Sequence, residues 1–127
     1  MTLIQVPSEN QEQRALVTWL RYHQRLNKYF CKFNNEGKRT AAQGFNLKLM
    51  GLIPGATDLI IFYPTRTYHG LFLEVKRNKR YSPSERRTNT WLAQEEFIEN
   101  VKSVGYEGKF CYGCIDGINI IESYLLT

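Results

Sequence analysis

The sequence lacks the cysteine pattern of a disulfide-stabilised or zinc-binding protein. It has three cysteines in 127 residues, an odd number that does not form a disulfide framework. Cys111 and Cys114 form a CYGC string, but no second pair of residues with zinc-ligand spacing accompanies it. We interpret residues 109–115 as a strand, on which these two thiols would point to opposite faces. Buried free thiols in a reducing, cytoplasmic setting are therefore expected, with a metal or redox site as the less favoured alternative.

Long hydrophobic runs, internal repeats and low-complexity segments are also absent. No stretch approaches the roughly 20 apolar residues of a membrane span. The first residues show no basic region followed by an apolar run, which a signal peptide would have. We expect no membrane partner and one domain over residues 1–127.

The charge balance favours an acidic partner. Lysine and arginine number 17 against 12 acidic residues, which gives a formal net charge of +5. Nucleic acid is the commonest partner of such a domain, although a merely basic soluble protein would show the same balance.

Hydrophobic spacing predicts an α/β domain with a central mixed sheet and helices packed on it. Four helices are predicted over residues 9–27, 41–50, 83–104 and 118–126. Four strands are predicted over residues 29–33, 58–63, 71–76 and 109–115. The last helix is also compatible with a strand. The second and third strands read as a β-hairpin, because only a short polar connection separates them.

The hairpin carries the residues with the clearest chemical meaning. The strand period of two places Glu74 and Lys76 on one face of the third strand. If Asp58 faces Glu74 across the hairpin, the turn centres on Arg66. Any register in which paired residue numbers have an even sum keeps the two carboxylates on one face, whereas an odd sum separates them. The loop length permits the even register but does not require it.

A carboxylate pair of this kind suits a hard divalent cation. Two adjacent carboxylates repel unless a cation lies between them. Mg²⁺ takes oxygen ligands of this type together with waters and substrate phosphate. Lys76 could orient a water or neutralise charge that develops on a phosphate. The alternative is a strand-start aspartate beside a surface Glu–Lys pair, which contributes only about 0–1 kcal/mol.

Two further polar residues lie on helix faces that the pattern predicts to be buried. Glu12 shares its face with Leu16 and Trp19, and Gln94 aligns with Ile98 on the long helix. A buried carboxylate is costly without a partner, so both residues are candidates to reach the hairpin. The alternatives are an N-terminal helix acid stabilised by the helix dipole and an ordinary amide at the core boundary.

These motifs resemble those of a known family. Asp58 followed by Glu74-Val75-Lys76 resembles the signature of the PD-(D/E)XK nucleases, although Thr57 stands where the signature has proline. The order of motifs over nearly the whole chain is similar to that of the VRR-NUC domain (virus-type replication-repair nuclease). These motifs are Glu12-Gln13, 34–37, Leu47-Lys48, 51–58, 69–76, Ser82-Pro83 and the helix bearing Gln94.

The resemblance implies a restriction-endonuclease-like fold and a metal-dependent endonuclease that hydrolyses DNA. By position, it implies that Asp58, Glu74 and the Val75 carbonyl bind Mg²⁺ or Mn²⁺. It also implies that Lys76 is the catalytic lysine and Glu12 an additional acidic residue of the site.

Gln94 would support the site, with Glu95 as its substitute if a small insertion at residues 84–89 shifts the helix. Stand-alone family members resemble Holliday-junction resolvases and are expected to be homodimers. Branched DNA, a homodimer and the cytoplasm of a bacterial or phage-infected cell are therefore implied.

A basic segment follows the hairpin and is expected to border the site. Residues 76–87 hold six lysines and arginines among twelve residues. Candidate DNA contacts in this segment and elsewhere are Lys38, Arg39, Lys48, Arg77, Lys79, Arg80, Arg86 and Arg87. Tyr81 could stack on an unpaired base or support the loop. An ordinary solvated surface is the alternative.

The chain shows no base-reading module, so recognition of DNA structure rather than sequence is expected. Rival interpretations are a DNA-binding module that does not cut and a nuclease for linear duplex, flap or RNA substrates.

Overall fold

Four α-helices and a four-stranded sheet make up the part of the chain that the computed structural model describes, residues 5–33 and 40–127. The helices are α1 (Glu9–Arg21), α2 (Ala41–Leu49), α3 (Asn89–Lys102) and α4 (Cys114–Leu125). The strands are β1 (Phe30–Lys32), β2 (Leu59–Ile61), β3 (Leu71–Lys76) and β4 (Glu107–Tyr112). Within these residues no helix is long and apolar enough to cross a membrane.

The sheet is mixed, as the sequence predicts. Its strand order is β1-β2-β3-β4. β1 and β2 are antiparallel, as are β2 and β3, whereas β4 runs parallel to β3. The parallel pair needs a crossover, which α3 provides. The hairpin therefore occupies the middle of the sheet, where both of its faces can be covered.

The two faces of β3 meet different helices because its side chains alternate. Leu71, Leu73 and Val75 belong to the buried core that includes Leu16 and Leu20 of α1 and Ile121 and Tyr124 of α4. On the other face, the ring of Phe72 contacts Phe97 of α3 at a centroid distance of 5.5 Å. Glu74 and Lys76 share this second face, so α3 lies over the residues of chemical interest.

The first helix ends earlier than predicted. α1 stops at Arg21, and the chain then turns before β1. The ring nitrogen Nδ1 of His23 accepts hydrogen bonds from the backbone N–H groups of Arg25 and Leu26, at 3.1 and 3.2 Å. Leu26 is fully buried in this turn, and its apolar side chain continued the helical spacing in the sequence.

The long helix begins later than predicted. Pro83 precedes a short 3₁₀ turn, Glu85–Arg87, rather than the first turn of α3. Thr88 is the N-cap: its backbone is extended, with ψ at 151°, and its Oγ1 accepts a hydrogen bond from the N–H of Trp91 at 3.2 Å.

The strand predicted over residues 109–115 is wrong at its end. β4 stops at Tyr112, Gly113 turns the chain with φ at +93°, and Cys114 opens α4. Cys114 is therefore not on a strand face opposite Cys111. Both residues are free thiols, as expected; Cys111 is buried and Cys114 half-buried, and the third cysteine, Cys31, is free and exposed.

Candidate active site

The hairpin has the register that brings the two carboxylates together. Paired residues across β2 and β3 are Leu59 with Leu73, Ile60 with Phe72, and Ile61 with Leu71. One step further along this register, Asp58 comes opposite Glu74. Paired numbers have an even sum, which is the condition that the sequence left open.

Glu74 is almost completely buried, with 4% of its surface exposed. Burial, a hydrogen bond to the carboxyl of Asp58 and the negative charge of Asp58 raise the pKa of Glu74 well above its ordinary value. The charge of Lys76 lowers this pKa only in part. Because two carboxylates can hydrogen-bond only through a proton, the pair holds a proton unless a cation replaces it.

Asp58 is held by the backbone of β3. Its Oδ2 accepts a hydrogen bond from the N–H of Val75 at 2.7 Å. The N–H and C=O of one residue in a strand point to the same side, so the Val75 carbonyl faces the side of Asp58. Thr57, in the place of the signature proline, is fully buried, and its hydroxyl donates to the carbonyl of Leu59 at 3.1 Å.

Lys76 is buried beside the acidic pair, and a residue of α3 holds its side chain. It is 7% exposed, and its Nζ donates a hydrogen bond to Oε1 of Gln94 at 2.7 Å. The ammonium lies 4.4 Å from the ring centroid of Trp91, a distance at which cation–π attraction acts. Gln94 is half-buried whereas Glu95 is exposed, so Gln94 is the residue that α3 brings to Lys76.

Gly55 lets the loop before Asp58 pack against α3. It adopts a φ of +81°, and a Cβ atom here would overlap the backbone of Ala93 and lie 2.7 Å from the nitrogen of Gln94. This close approach of two backbones positions β2 relative to α3. It therefore helps to bring the Asp58 side of the site near the Gln94 side.

We expect Gly55→Ala to lower the free energy of unfolding by about 3 kcal/mol, from backbone strain plus overlap with α3. Gly51→Ala is the matched control, because Gly51 also has a positive φ (+103°) but nothing within 4 Å of an added Cβ. This control should cost only about 1 kcal/mol, the strain alone. Urea unfolding measures both values. Equal costs would contradict tight packing between the loop and α3.

The first turn of α1 carries two acidic residues, Glu9 and Glu12. The charge of Glu9 contributes to the raised pKa of Glu74, as the smallest of its causes. Glu12 lies against the turn after β4, because a Cβ on Gly113 would overlap its Oε2. The N–H of Gly113 in turn donates to the carbonyl of Lys76 at 2.9 Å. Glu9 was not among the predicted site residues, although it lies three residues before Glu12 on the same helix face.

Two of the predicted DNA contacts, Arg77 and Lys79, have partners within the chain. The guanidinium of Arg77 donates to the carbonyls of Val6 and Pro7, at 2.9 and 3.2 Å, and so holds the segment before α1. Lys79 forms an ion pair with Glu85 at 2.7 Å. Hydrogen bonds from Lys79 and from the backbone N–H of Ser82 lower the pKa of Glu85 to about 2.

The remaining predicted DNA contacts are mostly at the surface. Lys38 and Arg39 lie outside the described residues. Side chains exposed to solvent are Lys48, Arg80, Arg86 and Arg87. Tyr81 supports the loop: its hydroxyl accepts the N–H of Arg77 at 3.0 Å, and its ring contacts Trp91 at 5.0 Å.

The donor set fits a hard divalent ion. Among residues 5–33 and 40–127, no three His, Cys, Asp or Glu side chains cluster as metal ligands. A cation at the hairpin would have the two carboxylates, the Val75 carbonyl and, for the rest, water or substrate oxygens. Mg²⁺ and Mn²⁺ prefer such an oxygen set with few protein side chains.

A mixed sheet whose central hairpin carries an acidic pair and a lysine, flanked by helices, defines a restriction-endonuclease-like fold. The chain is similar to a solved structure described as a VRR_NUC domain protein, with a TM-score of 0.77 and 25% sequence identity. The match covers 97% of this chain and 92% of that one, and it confirms the resemblance noted in the sequence. No family model matches the chain, and no curated protein matches it.

Proposed function

We propose that the protein is a nuclease that hydrolyses DNA phosphodiester bonds with the help of Mg²⁺ or Mn²⁺. The observation that carries this proposal is the convergence of half-buried Asp58 and buried Glu74 with a buried lysine that Gln94 holds by a hydrogen bond. Burying these charges is costly for folding, so a chemical use is the better explanation. The likeness to a VRR_NUC domain protein supports a nuclease role.

The carboxylates of Asp58 and Glu74 and the carbonyl of Val75 would hold the ion. A bound divalent ion supplies positive charge against the phosphodiester oxygens and makes water a stronger acid. The carboxylates bind a cation only when ionised, so the proton that Glu74 holds must leave as the ion enters. The charge of Lys76 already favours this loss, because it lowers the pKa of Glu74.

Lys76 is placed to act on the phosphate or on the attacking water. Its ammonium has three N–H donors, of which one is used by Gln94. The others are available to orient a water or to bind a phosphate oxygen as negative charge develops on it. Gln94 is suited to this arrangement because its neutral amide holds the ammonium and leaves the positive charge in place. A glutamate at this position would neutralise that charge.

Branched DNA is the proposed substrate, and a homodimer the proposed assembly. Both rest on the resemblance to stand-alone VRR-NUC proteins. A two-fold axis relating two active sites suits paired cuts in a four-way junction, which has matching symmetry.

A cleavage panel tests the proposal. We expect the protein to cut a four-way junction faster than linear duplex, flap or RNA substrates of equal length, and only when Mg²⁺ or Mn²⁺ is present. Chelation should stop cleavage, and added metal should restore it. An Asp58→Asn preparation gives the background of contaminating nuclease.

Each result of the panel has a clear meaning. Equal rates on all DNA substrates would overturn the selectivity for branches. Junction binding without cleavage in any divalent metal would overturn the nuclease proposal and favour a DNA-binding module. Light scattering of the purified protein tests the homodimer.

A further inference from the structure

A groove of about 720 Å³ lies between α1 and the edge strand β1. Its β1 wall includes Phe30 and Lys32, which pair with Ile61 and Leu59 of β2. These residues lie on the sheet face that α1 covers, whereas Glu74 and Lys76 lie on the α3 face. The groove is thus a second surface feature, separate from the site described above.

The groove has a strongly positive lining. Arg14, Arg21 and Lys32 line it, and among residues 5–33 and 40–127 no aspartate or glutamate does. Arg14 and Arg21 form no ion pair with any described residue, so their guanidinium groups are available to a ligand. Asn10 and Gln13 add amide donors on the same helix stripe. This chemistry suits a ligand with several anionic groups.

One end of the groove lies next to the candidate active site. Lys32 pairs with Leu59, the neighbour of Asp58, and the N–H of Phe33 donates to the carbonyl of Asp58 at 3.2 Å. On the helix side, Asn10 follows Glu9, whose charge acts on Glu74. A polymer bound at the acidic pair can therefore continue round the edge of β1 into the groove.

We infer that this groove binds the sugar-phosphate backbone of the DNA on one side of the bond that is cut. The inference rests on the proposed nuclease function and extends it to a second anchoring surface. Arg14 and Arg21 are seven residues apart, which is about 10.5 Å along a helix. DNA advances about 3.4 Å per nucleotide of one strand along the duplex axis, so two arginines on a helix that follows this axis span about three nucleotides. Planar guanidinium groups bind phosphate oxygens in pairs and give positioning without sequence preference.

Removal of both arginines tests the groove. We expect Arg14→Gln/Arg21→Gln to weaken binding of a fluorescent four-way junction by about tenfold near 0.1 M salt. The slope of log K against log salt should become shallower by about two, because two phosphate contacts are lost. Anisotropy titrations in EDTA measure both quantities without cleavage.

The matched control is Arg25→Gln/Arg66→Gln, which makes the same change of charge at two exposed arginines that do not line the groove. Its affinity and salt slope should stay close to those of the wild type. Equal losses in the two double variants would overturn the groove as a site, as would unchanged binding by the groove variant. Thermal midpoints show that both variants are folded.

The two proposals fail in different ways. If the wild type cuts DNA and the groove variant binds DNA as tightly as the wild type does, the groove proposal is wrong and the nuclease proposal stands. If the wild type binds DNA through the groove but never cuts it, the nuclease proposal is wrong.

Discussion

Glu74→Gln is expected to lower the cleavage rate by a factor of about 10³ or more while the domain remains folded. Glutamine keeps the shape of the side chain but cannot supply the negative charge that the proposed divalent ion needs beside Asp58. Single-turnover cleavage of a four-way junction at saturating Mg²⁺ measures this loss. Glu96→Gln is the matched control, because Glu96 is an exposed glutamate on α3 and should keep the wild-type rate.

The stability of the same variant checks the reason for its loss of activity. Burial and Asp58 raise the pKa of Glu74 in the folded chain, so the folded state holds a proton that the unfolded state releases above pH 4.5. Wild-type stability therefore falls as pH rises from that value towards the raised pKa. Glutamine has no proton to release, so without metal the variant should be the more stable protein at pH 8 and lose this advantage near pH 4.

Divalent metal should reverse that order. If the proposed ion binds the carboxylates of the folded protein, Mg²⁺ should raise the thermal midpoint of the wild type and leave that of Glu74→Gln almost unchanged. A variant that cuts at the wild-type rate, or that gains the same stability from Mg²⁺, would contradict metal binding by Glu74.

Lys76→Met is expected to have the second-largest effect, a loss of about 10²- to 10³-fold in the cleavage rate. Methionine preserves the apolar packing of the side chain against Trp91 but removes the ammonium. DNA binding in EDTA should change little, because a buried lysine contributes to the reaction more than to the initial contact. Lys109→Met, an exposed lysine on β4, is the control and should keep full activity.

The role of Gln94 is tested by the same assay. Gln94→Ala leaves the ammonium of Lys76 in place but removes the acceptor that orients it, so its loss should be smaller than that of Lys76→Met. A larger loss in Gln94→Ala would show that Gln94 acts on the substrate itself. Unchanged cleavage by Lys76→Met would exclude Lys76 from the reaction.

Local patterns predicted several elements well. The bounds of β3, Leu71–Lys76, agree with the prediction at both ends, because an apolar strand with alternating faces is a short-range signal. α2 also agrees closely, since Thr40 caps its start and Gly51 ends it. The errors came from residues that serve tertiary packing. Leu26 extended the apparent helix of α1 because it is buried in a turn.

The residues of the candidate site also fall into those that local patterns predict and those that depend on tertiary packing. The sequence places Glu74 and Lys76 on one strand face, because the alternation of side chains depends only on the strand itself. It could not place Asp58, since hairpin register depends on pairing between residues far apart in the chain. It missed Glu9 and the partners of Arg77 because those contacts join segments that are distant in sequence.

The sequence alone therefore determined the elements of an α/β domain and a strand with an acid and a lysine on one face. Only the tertiary structure decided that Asp58 lies opposite Glu74 and that Gln94 rather than Glu95 holds Lys76. It also decided that a cationic groove lies between α1 and β1. The physical reason is the distance along the chain over which each interaction acts. Strand alternation and helix capping are set by neighbouring residues, whereas register and helix docking are set by packing across the whole core.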